Sequence, residues 1–203
     1  EWAALNIRPS PYTTRYYPDN LDAGGLMVRD PCLTDPDFLR QETDRLKQQA
    51  EKYRHYSPTA YSLGDDQAMM LTYQDACVSP TCLAAFGEYL AEQYGRVAAL
   101  NASWDTTYTS FEEARPIAFD GARSTQRYPA WADHRMYMDQ LFVRIHRDAK
   151  ATVREVDPGA MVGFEGPIMD DSWYGYAWKE LLNEIDLMVL YPNTWKFDIV
   201  RSF

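Results

Sequence analysis

Residues 60–70 read AYSLGDDQAMM, and the fold turns on how this stretch is understood. An apolar run reaches a glycine, delivers two adjacent carboxylates, Asp65 and Asp66, and turns apolar again. Two anions side by side repel, and burying either is costly unless it is paired or put to use. Such a pair at the end of a buried strand has two readings. In one, Asp65 or Asp66 caps a helical turn starting at Gln67, since Asp is a favoured N-cap. In the other, the pair sits at the mouth of a barrel and one member is a general acid/base.

The segments around this stretch favour an α/β fold. Before it, TDPDFLRQETDRLKQQAEKY has Thr34 or Asp35 as cap, Pro36 in the first turn, and Phe38, Leu39, Leu46, Ala50 and Tyr53 on one face, which predicts a helix. After it, SPTCLAAFGEYLAEQYG predicts a second helix, capped by Ser79 and stopped at Gly95, with Leu83, Phe86, Leu90 and Tyr94 inward. The segment 100–116 reads as a loop with short helical pieces. A long amphipathic helix follows over 129–156, with Met138, Leu141, Phe142, Ile145, Ala149 and Val153 inward. AMVGFEG then reads as a strand ending at Glu165, WKELLNE as a helix, and IDLMVLYP as a buried strand ending at Tyr191. At the front, residues 2–8 read as a short buried strand leaving into a Pro-rich loop. Apolar strands alternating with amphipathic helices predict a parallel sheet covered by helices, either doubly wound or part of a (β/α) barrel. In both, chemistry gathers at the carboxyl ends of strands, where Asn6, Arg8, Asp65, Asp66, Glu165 and Tyr191 are expected.

Composition narrows the function. The net charge of −10 argues against nucleic acid or an anionic membrane as the main partner. No apolar run approaches the roughly 18 residues of a membrane helix. The 15 Tyr and 6 Trp suit either a sugar-binding cleft or an ordinary core. EWAALNIRPSP has no signal-like character and reads as the middle of a domain, so the 203 residues are expected to be a fragment, or a mature or trimmed chain, in an unspecified compartment.

Among chemistry-bearing residues, two strand-end carboxylates, Asp66 and Glu165, suit glycosidic cleavage; a retaining enzyme holds such a pair about 5 Å apart, an inverting one about 6.5–9.5 Å. Glu165 equally suits a structural ion pair with a nearby Arg. His55, His134 and His146 show no metal-ligand spacing and read as surface or core filler. No Ser sits in a nucleophile-elbow context. Cys32, Cys77 and Cys82 are compatible with zinc, with a disulfide, or with free buried thiols.

The run YSLGDD…CVSPTCLAAFGEYLAEQYGRVAALNASWDTTYTSFEEARP resembles the β-galactosidases of glycoside hydrolase family 42. FGEYLAEQYG, LNASWDT and TSF follow the family's order and spacing, DPCLTDPDFLRQ resembles its Cys-bearing approach to the third helix, and IDLMVLYPN its sixth strand. The resemblance covers most of residues 30–195. It implies a (β/α)8 barrel, of which this chain carries about strands three to six. It also implies retaining exo-β-glycosidase chemistry on a carbohydrate substrate, no required cofactor, a structural zinc and a homotrimer. By position, Asp66 takes the acid/base role and Asp65 that of the Asn bonding the sugar 2-hydroxyl. Tyr191 enters the site from the sixth strand, and Cys32, Cys77 and Cys82 overlie the zinc cysteines. Glu165, Asn6, Arg8, Trp173, Tyr174, Tyr191 and Trp195 are further substrate-binding candidates. Three departures stand out: Asp replaces Glu as acid/base, one zinc cysteine is missing, and the nucleophile lies outside the chain, with Glu165 as the fallback within it. A catalytically inactive barrel that binds sugar or serves in assembly is the alternative these departures motivate.

Overall fold

The structure, a computed structural model, describes residues 5, 7–19, 25–71, 73–167 and 173–203. Its framework is a parallel three-stranded sheet ordered β2 (Tyr61–Asp65), β4 (Val162–Glu165), β5 (Leu187–Val189). Four of the helices packed around it are those the sequence predicts. Helix α1 (Pro36–Tyr53) is capped by Asp35, whose carboxylate accepts from the N–H groups of Asp37 and Phe38. Helix α2 (Pro80–Tyr94) is capped by Ser79 and stopped by Gly95 at φ 68°. Helix α5 (Pro129–Val156) runs for 28 residues, and α6 (Trp178–Glu184) links β4 to β5. Leu46 and Ala50 of α1 pack into one apolar core with Leu141, Ile145, Ala149 and Val153 of α5, and with Leu63, Val162 and Phe164 of the strands. His134 and His146 of α5 are fully buried, as filler would be.

Four expectations need correction. Of the strand read at 2–8, residues 2–4 and 6 lie outside the described residues, Leu5 and Ile7 are exposed, and the described segment beside β2 is 9–13. The carbonyls of Pro9 and Pro11 accept from Thr59 and Ser62 of the neighbouring segment, and the Thr13 amide donates back to Ser62 O at 2.8 Å. Proline loses only its donor, so at an edge its carbonyl can still pair. The cap reading of Asp65 and Asp66 also falls, because the described residues between 67 and 78 form no helix. They hold β3 (Asp75–Ala76), which pairs in parallel with β1 (Leu26–Met27) as a separate two-stranded sheet. The last strand is shorter than read and only half-buried, with Val189 50% exposed, since among the described residues nothing pairs beyond β5. Finally, two helices are unforeseen, α4 (Phe119–Thr125) and α7 (Thr194–Arg201), whereas the short helical pieces expected in 100–116 are present, the end of α3 (Val97–Trp104) among them. No helix among the described residues is long and apolar enough to cross a membrane.

Candidate active site at the strand ends and a cysteine cluster

Alternation along a strand would send Asp65 and Asp66 to opposite faces. The backbone prevents this. Register runs Tyr61 to Val162 and Ser62 to Gly163, but then Asp65 to Glu165, so β2 carries one extra residue between Ser62 and Asp65. The bulge centres on Gly64 at φ +116°, where a Cβ would lie 2.6 Å from Thr14 O and 2.4 Å from Gln67 Nε2. Asp66 itself has φ +53°, a left-handed conformation that Asp tolerates better than most residues. Both carboxylates therefore converge on Gly166, just past Glu165: a Cβ there would meet Asp65 Oδ1 at 2.2 Å, Asp66 Oδ1 at 3.0 Å and the Tyr191 hydroxyl at 3.1 Å.

Two phenols face these acids. Tyr191 OH donates to Asp66 Oδ1 at 2.7 Å, and Tyr12 OH donates to Glu165 Oε2 at 3.2 Å. The bond to Asp66 and partial desolvation push the Tyr191 phenol up to about 12. Burial first, then the charge of Glu165, raises that of Tyr12. Both phenols are thus donors at neutral pH. The Asp66 amide is held by Glu165 O at 3.2 Å and Asp65 Oδ1 at 3.0 Å, and Arg15 Nε donates to Asp65 O. The result is a half-exposed row of three carboxylates and two phenols, a set suited to accepting from and donating to a polyhydroxylated ligand.

Other candidates are placed differently. Arg8 does not join the cluster: its guanidinium donates to Ser57 O and Pro58 O, before β2 begins, at the opposite end from Asp65. Asn6 lies outside the described residues. Trp173 is half-buried and packs edge-on and tilted against Tyr73, Phe119 and Trp131, and Tyr174 is buried with its hydroxyl on Leu71 O. Trp195 is 37% exposed on α7. Beside it the buried Lys196 donates to Pro167 O, with its ammonium 5.3 Å from the Tyr191 ring centre. Sequence reasoning missed Tyr12, Arg15 and Lys196. Only the aromatic run around Tyr12 carried any signal.

The three cysteines are brought together from the loop before α1 (Cys32), the segment just after β3 (Cys77) and the first turn of α2 (Cys82). Their sulfurs all lie within 4.8 Å of one another, with Cys32 and Cys77 at 3.7 Å, and no disulfide links them. Zinc–sulfur bonds of about 2.3 Å in a tetrahedron put sulfurs about 3.8 Å apart, so the cluster fits such an ion and could hold zinc. The Arg29 and Ser79 amides donate to Cys77 Sγ at 3.3 and 3.4 Å, as N–H groups do around a metal thiolate. Thiol donation from Cys77 and Cys82 draws the Cys32 pKa far down, while Cys82 is pushed up by the same sharing. Beneath them Arg29, 1% exposed, donates to the carbonyls of Tyr16, Pro31, Ala68 and Met69. Burial lowers its pKa to about 10.

A helix-covered parallel sheet with acids gathered at its carboxyl ends fits part of a (β/α) barrel. The glycoside hydrolase family 42 profile, described as β-galactosidase, matches residues 25–193, and the chain belongs to that family of O-glycosyl hydrolases. The β-galactosidase LacZ of Heyndrickxia coagulans is 22% identical over 212 residues, covering 96% of this chain and 30% of that protein. The polyextremophilic β-galactosidase of the haloarchaeon Halorubrum lacusprofundi superposes with a TM-score of 0.67 at 18% identity, over 89% of this chain and 27% of that one. An exo-carrageenase of the same family from Bacteroides ovatus gives 0.64 at 16% identity, over 91% and 27%. The chain thus spans under a third of the length of these relatives and aligns to part of their barrels.

Proposed function

We propose that this chain carries the acid/base side of a retaining exo-β-glycosidase, within a single barrel domain to which residues 1–203 contribute the central strands. The observation carrying this reading is the convergence of Asp65, Asp66 and Tyr191 on Gly166 at the carboxyl end of the sheet. Asp66 protonates the departing glycosidic oxygen and later draws a proton from water. Asp65 accepts from the sugar 2-hydroxyl, while Glu165, Tyr191 and Trp195 line the sugar's approach. The nucleophile comes from a carboxylate outside residues 1–203, Glu165 being the alternative within them. The cysteine trio holds a structural zinc, and the complete protein is a homotrimer. Membership of a family described as β-galactosidase supports galactosides as the first substrates to screen.

The test is Asp66→Asn in the complete protein, assayed on aryl β-galactosides. Turnover should fall by about 10²–10⁴-fold, and least for the best leaving groups, because those need no protonation. Unchanged turnover would sink the assignment. Sugar binding without turnover by the unsubstituted protein would instead favour an inactive, carbohydrate-binding barrel, for which the shortened acid, Asp in place of Glu, already argues.

A further inference from the structure

A divalent ion held by three thiolates in a tetrahedron needs a fourth ligand. Among the described residues no other Cys, His, Asp or Glu joins Cys32, Cys77 and Cys82. One residue nevertheless touches all three, through its hydroxyl or its backbone amide. Ser79 Oγ lies 3.0 Å from Cys32 Sγ and accepts the Cys82 amide at 3.1 Å, while the Ser79 amide donates to Cys77 Sγ at 3.4 Å. We propose that Ser79 Oγ is the fourth ligand of a zinc-type ion at this cluster, giving a three-sulfur, one-oxygen site. The proposal rests on reading the trio as a metal site and is independent of the glycosidase reading.

The geometry supports Ser79 over its neighbours. With zinc–sulfur bonds of about 2.3 Å and a zinc–oxygen bond of about 2.0 Å, the sulfur–oxygen edge of a tetrahedron is about 3.5 Å. The observed 3.0 Å to Cys32 lengthens to that value with a small outward shift of the two side chains. Thr34 Oγ1 and Thr81 Oγ1 also approach Cys32 Sγ, at 3.2 and 3.7 Å, and Thr81 Oγ1 bonds both Thr34 Oγ1 and Ser79 Oγ, but the two threonines are more open to solvent. Ser79 is 6% exposed. Its backbone is extended, at φ −62° and ψ 158°, and the following Pro80 holds it there. The Cys82 amide, donating to Ser79 Oγ, holds the hydroxyl beside Cys32 Sγ. A neutral hydroxyl in place of a thiolate leaves the loaded site with one less negative charge and weaker grip.

The experiment measures zinc affinity of the complete protein by chelator competition, and counts thiolates from sulfur-to-cobalt charge-transfer absorption after Co²⁺ loading. Ser79→Gly removes the hydroxyl at little cost to the helix cap, because Gly is itself an acceptable cap. It should lower zinc affinity by about 10–100-fold, a loss at least as large as that for removing an outer-shell partner. Ser79→Cys should raise affinity about tenfold or more and increase the charge-transfer band by about a third, as four thiolates replace three. Zinc affinity within about twofold of wild type in Ser79→Gly, or an unchanged cobalt band in Ser79→Cys, would overturn the proposal and leave Ser79 as a cap alone. Failure of the unsubstituted protein to take up either ion would overturn the metal reading with it.

Discussion

At the scale of single residues, the site depends on backbone conformations that ordinary side chains avoid. Gly64 makes the bulge, Asp66 sits left-handed, and Gly166 lies at φ +63° under both carboxylates. At Gly166 the missing Cβ is the space into which Asp65 and Asp66 converge, so substitution there bears directly on the acids. In Gly166→Ala the new methyl would be 2.2 Å from Asp65 Oδ1, so that carboxylate must move. The left-handed backbone adds about 1 kcal/mol of strain. Activity should therefore drop far more than stability: at least tenfold in kcat/KM on an aryl galactoside, since small displacements of reacting groups are costly, against a melting shift of a few degrees. Loss of activity only in proportion to unfolding would show that Gly166 matters for the backbone and not for the acids.

At the scale of elements, the sequence run that identifies the family, LNASWDTTY, turns out to be a latch and takes no part in the strand-end cluster. Asn101 accepts from the Tyr108 amide and the Thr106 hydroxyl and donates to Tyr108 O, which folds the chain back after α3. Trp104 donates its indole N–H to Asp133 Oδ2 at 2.7 Å, and Tyr94 OH donates to the same oxygen at 2.6 Å. One carboxylate of α5 thus ties the end of α2 and the end of α3 to the long helix. Asp133→Ala leaves a buried indole N–H without its acceptor, which costs about 1–3 kcal/mol, and removes two charge-assisted bonds. We expect a fall of roughly 3 kcal/mol in unfolding free energy by urea titration, with kcat/KM unchanged per folded molecule. An activity loss beyond the unfolded fraction would mean that α2 and α3 also support the site. The resemblance was legible because this latch is local in sequence. The acid cluster was only half legible: strand-end positions are read from patterning, but Tyr12 and Tyr191 reach their acids from 153 and 125 residues away. The bulge that turns Asp65 toward Asp66 leaves no periodic trace. The edge segment 9–13 was hidden by its own prolines, and Arg29 by having carbonyls as its partners.

At the scale of the whole molecule, the core carries its charge in a way that ties stability to pH. His134 and His146 lie inside α5, and burial lowers their pKa values to about 3 and about 4. His146 sits among Tyr16, Phe142 and Phe164, with Nδ1 on Phe142 O and Nε2 unpartnered. Unfolded, each histidine titrates near 6.5. Below that pH the unfolded chain binds protons that the folded chain refuses, so stability is complete above about 6.5 and is lost as pH falls toward 4. From pH 7 to pH 5 each histidine costs about 2 kcal/mol by this linkage. Asp139 works the other way: burial raises its pKa to about 6, so its folded form gains a proton over the same interval, returning about 1 kcal/mol. The balance is a net loss of roughly 2–3 kcal/mol between pH 7 and pH 5. His146→Met fills the same apolar space with a side chain that does not titrate. Urea unfolding at the two pH values should show the variant losing about 2 kcal/mol less than the unsubstituted protein across the interval. Equal losses in the two proteins would mean that His146 is charged in the folded core, and the acid sensitivity would then have to come from His134 alone.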